Sequence, residues 1–278
     1  MLPTAIIVFR EVLEASLVVG IVLAASRGVP RRGAWVISGI TAGVIGACVV
    51  AFCAGAIATA VNGIGQELFN ATILYTAVAM LGWHNIWMNR HGRELALTAG
   101  SIGKDVRGGS RPLYALATVV GIAVLREGSE IVLFLYGIAS GGSESALAMV
   151  AGGSLGILGG ALLSALMYFG LVAIPMRRLF AVTTWLITLL AAGMASQAVV
   201  FLQQAGYFQS FAEPLWDTSG ILPEGSIPGR LLRSLIGYSD SPTAAQLAAY
   251  LLTIAVIITL MGMVGRRRSA DTGSLAKT

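Results

Sequence analysis

The chain has 278 residues, of which 56% are hydrophobic and only 11% are charged, and its mean hydropathy is +0.82. A soluble domain has about 25% charged residues, so this composition excludes a soluble globular protein. The net charge of +5 could indicate nucleic-acid binding in a soluble protein, but in a membrane protein basic residues mark the cytoplasmic loops. We therefore predict an all-α polytopic membrane protein that contacts the lipid bilayer and no nucleic acid.

Seven apolar runs meet the length of roughly 20 residues that a transmembrane helix requires. They lie at about 3–25, 34–61, 68–89, 112–139, 146–174, 180–203 and 244–265. The runs predict a single transmembrane domain of seven helices over residues 1–265, followed by a basic cytoplasmic tail at 266–278. An external loop at about 205–243 precedes the seventh helix, at about 244–265. Within this loop, "GRLLRSLIGY" predicts an amphipathic helix that lies on the membrane surface or caps an entrance.

The basic residues alternate between the two sides of the predicted helices. Fourteen of the 18 follow the first, third, fifth and seventh runs, whereas only Arg230 and Arg233 lie in the sixth loop. The remaining two, Arg10 and Arg126, lie inside runs. Because cytoplasmic loops carry an excess of Lys and Arg, this pattern places the N-terminus outside and the C-terminus in the cytoplasm.

The first three runs and the next three indicate an internal repeat. "FREVLEASLVVGIVLA" in the first run aligns with "LREGSEIVLFLYGIA" in the fourth, at a shift of 116 residues. Small residues of the second run align with those of the fifth at a shift of 113, in the two sets Gly39, Gly43, Ala47 and Gly152, Gly156, Gly160. The repeats, at about 1–92 and 112–205, contain three helices each, so the second copy is inverted. Inverted repeats are typical of secondary transporters, whose sites lie near the membrane midplane.

The charged motif has the form R-E-x-x-E in both repeats, at Arg10 to Glu14 and at Arg126 to Glu130. A charge at the bilayer centre costs about 2.5–3.5 kcal/mol on insertion scales. The arginine and the second glutamate of each motif are four residues apart and share a helix face. The first glutamates, Glu11 and Glu127, have no such local partner.

Convergence of the two motifs would gather four carboxylates and two guanidiniums, with a formal charge of −2. In a medium of low dielectric constant, this charge has to be relieved by protons or by a bound cation. Clustered carboxylates suit hard or borderline cations. Two other interpretations are open: buried Arg–Glu bridges that only lock helices together, and a proton relay without metal.

The two R-E-x-x-E motifs, in the first and fourth of seven spans, resemble those of the high-affinity iron permeases, the oxidase-coupled iron transporters of fungi and bacteria. The segments "EPLWDTSGILPEGS" and "LIGYSDSPTAAQLAAYL" are similar to the bacterial branch. The resemblance implies a permease rather than an enzyme, which moves ferric or ferrous iron into the cytoplasm across a bacterial inner membrane, with no organic cofactor. It implies metal binding by Glu11, Glu14, Glu127 and Glu130, with Arg10 and Arg126 as ion-pair partners.

The resemblance also implies an external oxidase or peroxidase and an iron-binding protein as partners, and it leaves the oligomeric state open. Ser129 stands where the usual R-E-G-L-E motif has leucine, which adds a hydroxyl group beside the predicted site. Further candidates for the ion path or its entrance are polar residues in the third span, the sixth span and the external loop: Glu67, His84, Gln197, Asp217 and Asp240. The alternatives are a helix-end role for Glu67 and a bond to a neighbouring helix for Gln197. For His84, a ligand or proton role stands beside packing.

Two other functions are compatible with the sequence. A carboxylate-based transporter or exchanger could carry another divalent cation, such as manganese or calcium. A seven-helix receptor or an intramembrane enzyme would not transport at all, although the inverted repeat and the acidic pairs argue against these classes. Metal uptake into vesicles separates the alternatives.

Overall fold

The computed structural model describes residues 1–60, 66–140, 144–170, 176–207 and 211–275. These residues form eight α-helices: α1 (Leu2–Ala25), α2 (Arg32–Ala60), α3 (Gln66–Arg107), α4 (Tyr114–Ser140), α5 (Ala146–Tyr168), α6 (Met176–Gln204), α7 (Ile227–Ile236) and α8 (Ala244–Leu275). Apart from one isolated β-bridge, between Pro214 and Thr243, the described part of the chain contains no β-structure. The predicted all-α class is therefore confirmed for these residues.

Four helical segments are long and apolar enough to cross a membrane by length and composition alone. They are Arg32–Ala56, Ala146–Tyr168, Ala181–Gln204 and Ala244–Met263. Helices α1 and α4 each carry one complete R-E-x-x-E motif, so their apolar character is interrupted by three charged residues. The helices agree with a polytopic membrane protein, whereas the count of seven spans and the orientation stay predictions.

Helix α3 is much longer than the predicted third span, which ended at residue 89. The helix continues to Arg107 and stops before Gly109, whose φ of 76° lies in the left-handed region that favours glycine. Two glycines in its second half pack against the end of α1: a Cβ atom on Gly103 would lie 2.6 Å from Ala25 Cβ, and one on Gly100 would lie 3.6 Å from Ile21. The polar second half of α3 therefore packs against the end of α1.

The small-residue ladders join the two repeats. Helix α2 packs along α4, and α5 packs along α1, so each ladder lies against the motif helix of the other repeat. A Cβ atom on Gly43 would lie 2.8 Å from the carbonyl oxygen of Gly121, and one on Gly156 would lie 2.8 Å from that of Ala5. Such approaches of two backbones are only open to glycine, which agrees with the role of small-xxx-small faces in membrane bundles.

The third helices of the two repeats are not equivalent. Helix α3 packs against both motif helices, α1 and α4, whereas α6 packs mainly against α3 and α8. The short helix α7 lies on α6 and α1, as a cap on the bundle. Ser226 Oγ accepts a hydrogen bond from Gly229 N at the start of α7, and Gly237, with a φ of 70°, ends it against Gly193 of α6.

Two apolar clusters lie on either side of a polar layer. The first cluster contains Ile7, Leu74, Leu81, Phe134 and Ile138, together with residues of α6 and α8. The second contains Val22, Val36, Ala99, Val106, Leu116 and Val120. On α1, α3 and α4 alike, the polar residues fall between the members of the two clusters. The fold therefore encloses these polar residues within apolar surroundings at the middle of the bundle.

Candidate metal site

Side chains from α1, α3 and α4 form the polar layer. Glu11 is fully buried, Glu14 and His84 are each 4% exposed, and Glu127 is 6% exposed. Glu127 lies midway along α4, so it is as far from either end of its helix as it can be. The structure thus brings together the two predicted motifs, and it adds a histidine that the motif does not contain.

The α1 motif forms a closed ion-pair group. Arg10 Nε lies 2.9 Å from Glu14 Oε1, and Arg10 Nη1 lies 3.3 Å from Glu11 Oε1. The expectation that Glu11 lacks a local partner is therefore wrong. Helix periodicity places adjacent residues on different faces, but the long arginine side chain ends in a planar fork that reaches both carboxylates.

The α4 motif is more open. Arg126 Nε lies 3.2 Å from Glu130 Oε1 and 3.9 Å from Glu127 Oε1. The Arg126 side chain is 29% exposed, against 2% for Arg10, and its guanidinium lies 4.0 Å from the centre of the Trp87 ring. A cation over an aromatic face is attracted by the ring quadrupole. The two copies of the motif therefore share their pairing but differ in their access to solvent.

His84 of α3 connects the two motifs. Its Nε2 atom lies 3.7 Å from Glu11 Oε2 and 3.6 Å from Glu14 Oε2, and its Nδ1 atom contacts Glu130 Oε2. The ring packs edge-on against Phe134. The sequence left a ligand or proton role for His84 open beside packing, because nothing in the motif spacing shows that α3 lies between α1 and α4.

The cluster offers oxygen and nitrogen donors within the reach of one cation. One carboxylate oxygen from each of Glu11, Glu127 and Glu130 and one ring nitrogen of His84 all lie within 4.8 Å of one another. Glu11 Oε2, Glu14 Oε2 and Glu127 Oε2 are buried and make no hydrogen bond within the described structure. Buried carboxylate oxygens without partners are costly, and a bound cation satisfies them.

A groove reaches the cluster along α3. It has a volume of about 930 Å³ and is lined by side chains of α3 and α4: Thr72, Tyr75, Thr76, Ala79, Met80, Trp83, His84, Trp87, Arg126 and Glu130. Its lining is mostly apolar, with hydroxyl groups toward the start of α3. The groove approaches the site from the α4 motif, which is the more open of the two.

The other predicted path residues lie apart from the cluster. Ser129 Oγ donates a hydrogen bond to the carbonyl oxygen of Leu125, 2.7 Å away in its own helix. Glu67 is exposed in the first turn of α3, where a carboxylate suits the helix dipole. Gln197 Oε1 accepts a hydrogen bond of 3.4 Å from Arg233 of α7, so it joins α6 to α7.

The two loop aspartates that were predicted as entrance residues, Asp217 and Asp240, hold turns of the loop. Asp240 Oδ2 accepts a hydrogen bond of 3.0 Å from the backbone of Glu224. Asp217 Oδ1 accepts one of 2.8 Å from the backbone of Ser219, and hydrogen bonding to Ser219 holds the pKa of this exposed carboxyl below its usual range. Both carboxylates therefore have local structural partners.

The fold and the cluster define an all-helical membrane protein with a buried, carboxylate-rich site suited to a cation. The chain belongs to the iron permease FTR1 family, which it matches over residues 1–269. Membership identifies it as an iron-transport permease of the membrane, as the resemblance implied.

Bacterial relatives named "Ferrous iron permease EfeU" match over nearly the whole chain. The protein of Yersinia pestis is 27% identical over 277 residues, which cover 98% of this chain and 97% of the relative. That of Escherichia coli O6:H1 is 29% identical over 274 residues, with 97% of both chains covered. That of Shigella sonnei is 28% identical over 252 residues, which cover 89% and 90%. No solved structure matches this chain.

Proposed function

We propose that this permease carries iron into the cytoplasm across a bacterial inner membrane, through a site formed by Glu11, Glu14, Glu127 and Glu130. The observation that carries the proposal is the convergence of two acidic motifs, 116 residues apart, in one buried cluster. With Arg10 and Arg126 the cluster has a formal charge of −2, which favours a cation over an anion or a neutral substrate. Arg10 and Arg126 lie within ion-pair distance of the glutamates and offset part of their negative charge.

The placement of the cluster supports a site at the membrane midplane. Glu127 lies at the middle of α4, and apolar clusters lie on both sides of the polar layer. Pairing of α2 with α4 and of α5 with α1 is the packing expected from an inverted repeat, and such transporters bind their substrates between the repeats. An ion at this depth can be exposed to one side of the membrane at a time.

Ferrous iron is the substrate we propose. The relatives named above are ferrous iron permeases, and the match covers almost the full length of both chains. Carboxylates also bind manganese and calcium, so these ions are the competing candidates. The groove along α3 would lead the ion from the outer end of that helix to Glu130, past the hydroxyl groups of Thr72 and Thr76.

The proposal includes the number and the orientation of the transmembrane helices. Seven helices would span the membrane: α1 to α6 as two inverted repeats, and α8 alone. The N-terminus and the loop that contains α7 would lie outside, where an oxidase or peroxidase and an iron-binding protein could deliver iron. The basic segment after residue 265 would lie in the cytoplasm.

Uptake into proteoliposomes tests the function. Purified protein is reconstituted and supplied with radioactive Fe²⁺ kept reduced, with Fe³⁺ citrate, or with Mn²⁺ or Ca²⁺. We expect Fe²⁺ to accumulate, and Glu11→Gln and Glu127→Gln to abolish this uptake while the protein remains folded. Glu94→Gln is the matched control, because it neutralises an exposed carboxylate of α3 outside the cluster. Uptake of Ca²⁺ but not Fe²⁺, or normal uptake by both cluster variants, would refute the proposal.

A further inference from the structure

We propose that His84 is a ligand of the transported cation through Nε2, and that Glu130 orients the imidazole by accepting a hydrogen bond from Nδ1. This inference rests on the proposed function, since it assigns the donors of the same site. It also divides the four motif glutamates into three ligands and one orienting residue, a distinction that the repeated motif does not contain.

The position of the His84 ring supports its role as a ligand. His84 is 4% exposed and lies between α1 and α4, with Nε2 facing Glu11 Oε2 at 3.7 Å and Glu14 Oε2 at 3.6 Å. A divalent first-row metal lies about 2.0–2.2 Å from nitrogen and oxygen ligands, so two of its donors are about 3–4 Å apart. Both separations fall in this interval. Nε2 is therefore spaced from each of these two oxygens as one metal ligand is from another.

The contacts of each donor atom distinguish Glu130 from the other three glutamates. Glu130 has both oxygens engaged, with Oε1 3.2 Å from Arg126 Nε and Oε2 in contact with His84 Nδ1. His84 Nε2 has no carboxylate in such close contact, since Glu14 Oε2 and Glu11 Oε2 lie 3.6 and 3.7 Å from it, beyond hydrogen-bonding distance. These two oxygens and Glu127 Oε2, which are buried and make no hydrogen bond, are the oxygen donors that we assign to the ion beside Nε2.

The contact of His84 Nδ1 with Glu130 is also typical of metal-binding histidines. A histidine that binds a metal through one nitrogen usually donates its other N–H to a carboxylate, which fixes the tautomer and the orientation of the ring. Glu130 occupies that position. Its own second oxygen is held by Arg126, so the orienting carboxylate is itself fixed.

The consequence is selectivity for a class of ions. Calcium and magnesium prefer oxygen ligands, whereas imidazole suits iron, zinc, copper and nickel. A site of four carboxylates would discriminate poorly between Ca²⁺ and Fe²⁺. Replacement of one oxygen by the His84 nitrogen shifts the preference toward first-row transition metals, which are far scarcer than calcium outside a cell.

X-ray absorption at the iron edge tests the ligand directly. The outer-shell scattering of a bound imidazole is distinctive, and the chain has only two histidines, His84 and His91. Protein with a histidine-free affinity tag is loaded anaerobically with Fe²⁺. We expect the imidazole signal in the wild type and in His91→Gln, and its loss in His84→Gln. Loss of the ligand should weaken Fe²⁺ binding by at least the roughly 10–100-fold typical of an outer-shell partner, with Ca²⁺ binding little changed.

Asn85→Leu is the matched control, because Asn85 is buried beside His84 on α3 and its replacement removes a polar group at similar volume. It should keep both the imidazole signal and the preference for Fe²⁺. An imidazole signal that is absent from the wild type, persists in His84→Gln or disappears in His91→Gln overturns the assignment. If His84→Gln does not fold, the wild type and His91→Gln decide alone. Wild-type protein that binds no Fe²⁺ would instead refute the proposed function, and the ligand with it.

Discussion

Arg10 Nε lies 2.9 Å from Glu14 Oε1, and both side chains are almost completely shielded from solvent. The equivalent pair of the second repeat, Arg126 and Glu130, is 3.2 Å apart but faces a groove. The same motif is therefore a buried ion pair in α1 and a partly solvated one in α4. The two copies should therefore differ in how much their ion pair contributes to stability.

Glu14→Gln should destabilise the protein more than Glu130→Gln. Both substitutions relieve the same repulsion within the cluster, but only the first weakens the pairing of a buried arginine. Loss of one partner of a buried pair costs about 3–5 kcal/mol, and the cost falls as the pair becomes more accessible to solvent, as it is in α4. The measurement is thermal unfolding of purified protein in detergent. Equal losses of stability in the two variants would contradict the asymmetry of the repeats.

The glycine ladder of α5 gives a second prediction. A Cβ atom on Gly156 would lie 2.8 Å from backbone atoms of α1, so Gly156→Ala has to push the two helices apart. Overpacking of this kind costs about 1–3 kcal/mol. Gly153→Ala, on the same helix, meets nothing within 4 Å and should be neutral or slightly stabilising, because alanine has the higher helix propensity. Unfolding temperatures of the two variants provide the comparison, and a loss of stability in both would argue against the close α1–α5 contact.

The orientation can be checked by cysteine labelling. Ile221 is 88% exposed in the loop before α7, so Ile221→Cys presents an accessible thiol in a variant that lacks Cys48 and Cys53. An impermeant maleimide added to intact cells should label this position without permeabilisation, because the proposed topology places the loop outside. A cysteine at Ser269, in the basic segment, should react only after the membrane is opened. The reverse pattern would invert the predicted topology.

The sequence predicted those parts of the site that depend on local spacing and on the repeat. Two copies of R-E-x-x-E in an inverted pair indicate that α1 and α4 meet. The small residues of α2 and of α5 indicate that each of these helices packs closely against a neighbour. His84 could not be found in this way, because its place depends on how α3 packs between the motif helices. The contact of Arg10 with Glu11 likewise depends on a side-chain conformation. For α3, hydropathy marks only the apolar part, whereas the helix itself continues to Arg107 through a polar segment in which Gly100 and Gly103 pack against α1.

The end of α7 is held on the bundle by a close contact with α6. Gly237 has a φ of 70°, and a Cβ atom there would overlap the backbone of Gly193 in α6. Gly237→Ala should therefore release the end of α7, because an L-residue in the left-handed region costs about 1–2 kcal/mol even without the overlap. Hydrogen exchange of α7 amides should become faster in this variant.

Gly220→Ala is the control for that experiment, since Gly220 lies in the same loop and a Cβ atom there meets nothing within 4 Å. Its exchange should match that of the wild type. Tyr250 Oη donates a hydrogen bond of 2.6 Å to the carbonyl oxygen of Ile236, so Tyr250→Phe should loosen α7 from the α8 side as well. Unchanged exchange in both Gly237→Ala and Tyr250→Phe would show that neither contact holds the loop. Iron uptake measured on the same variants then reveals whether a docked α7 is needed for transport.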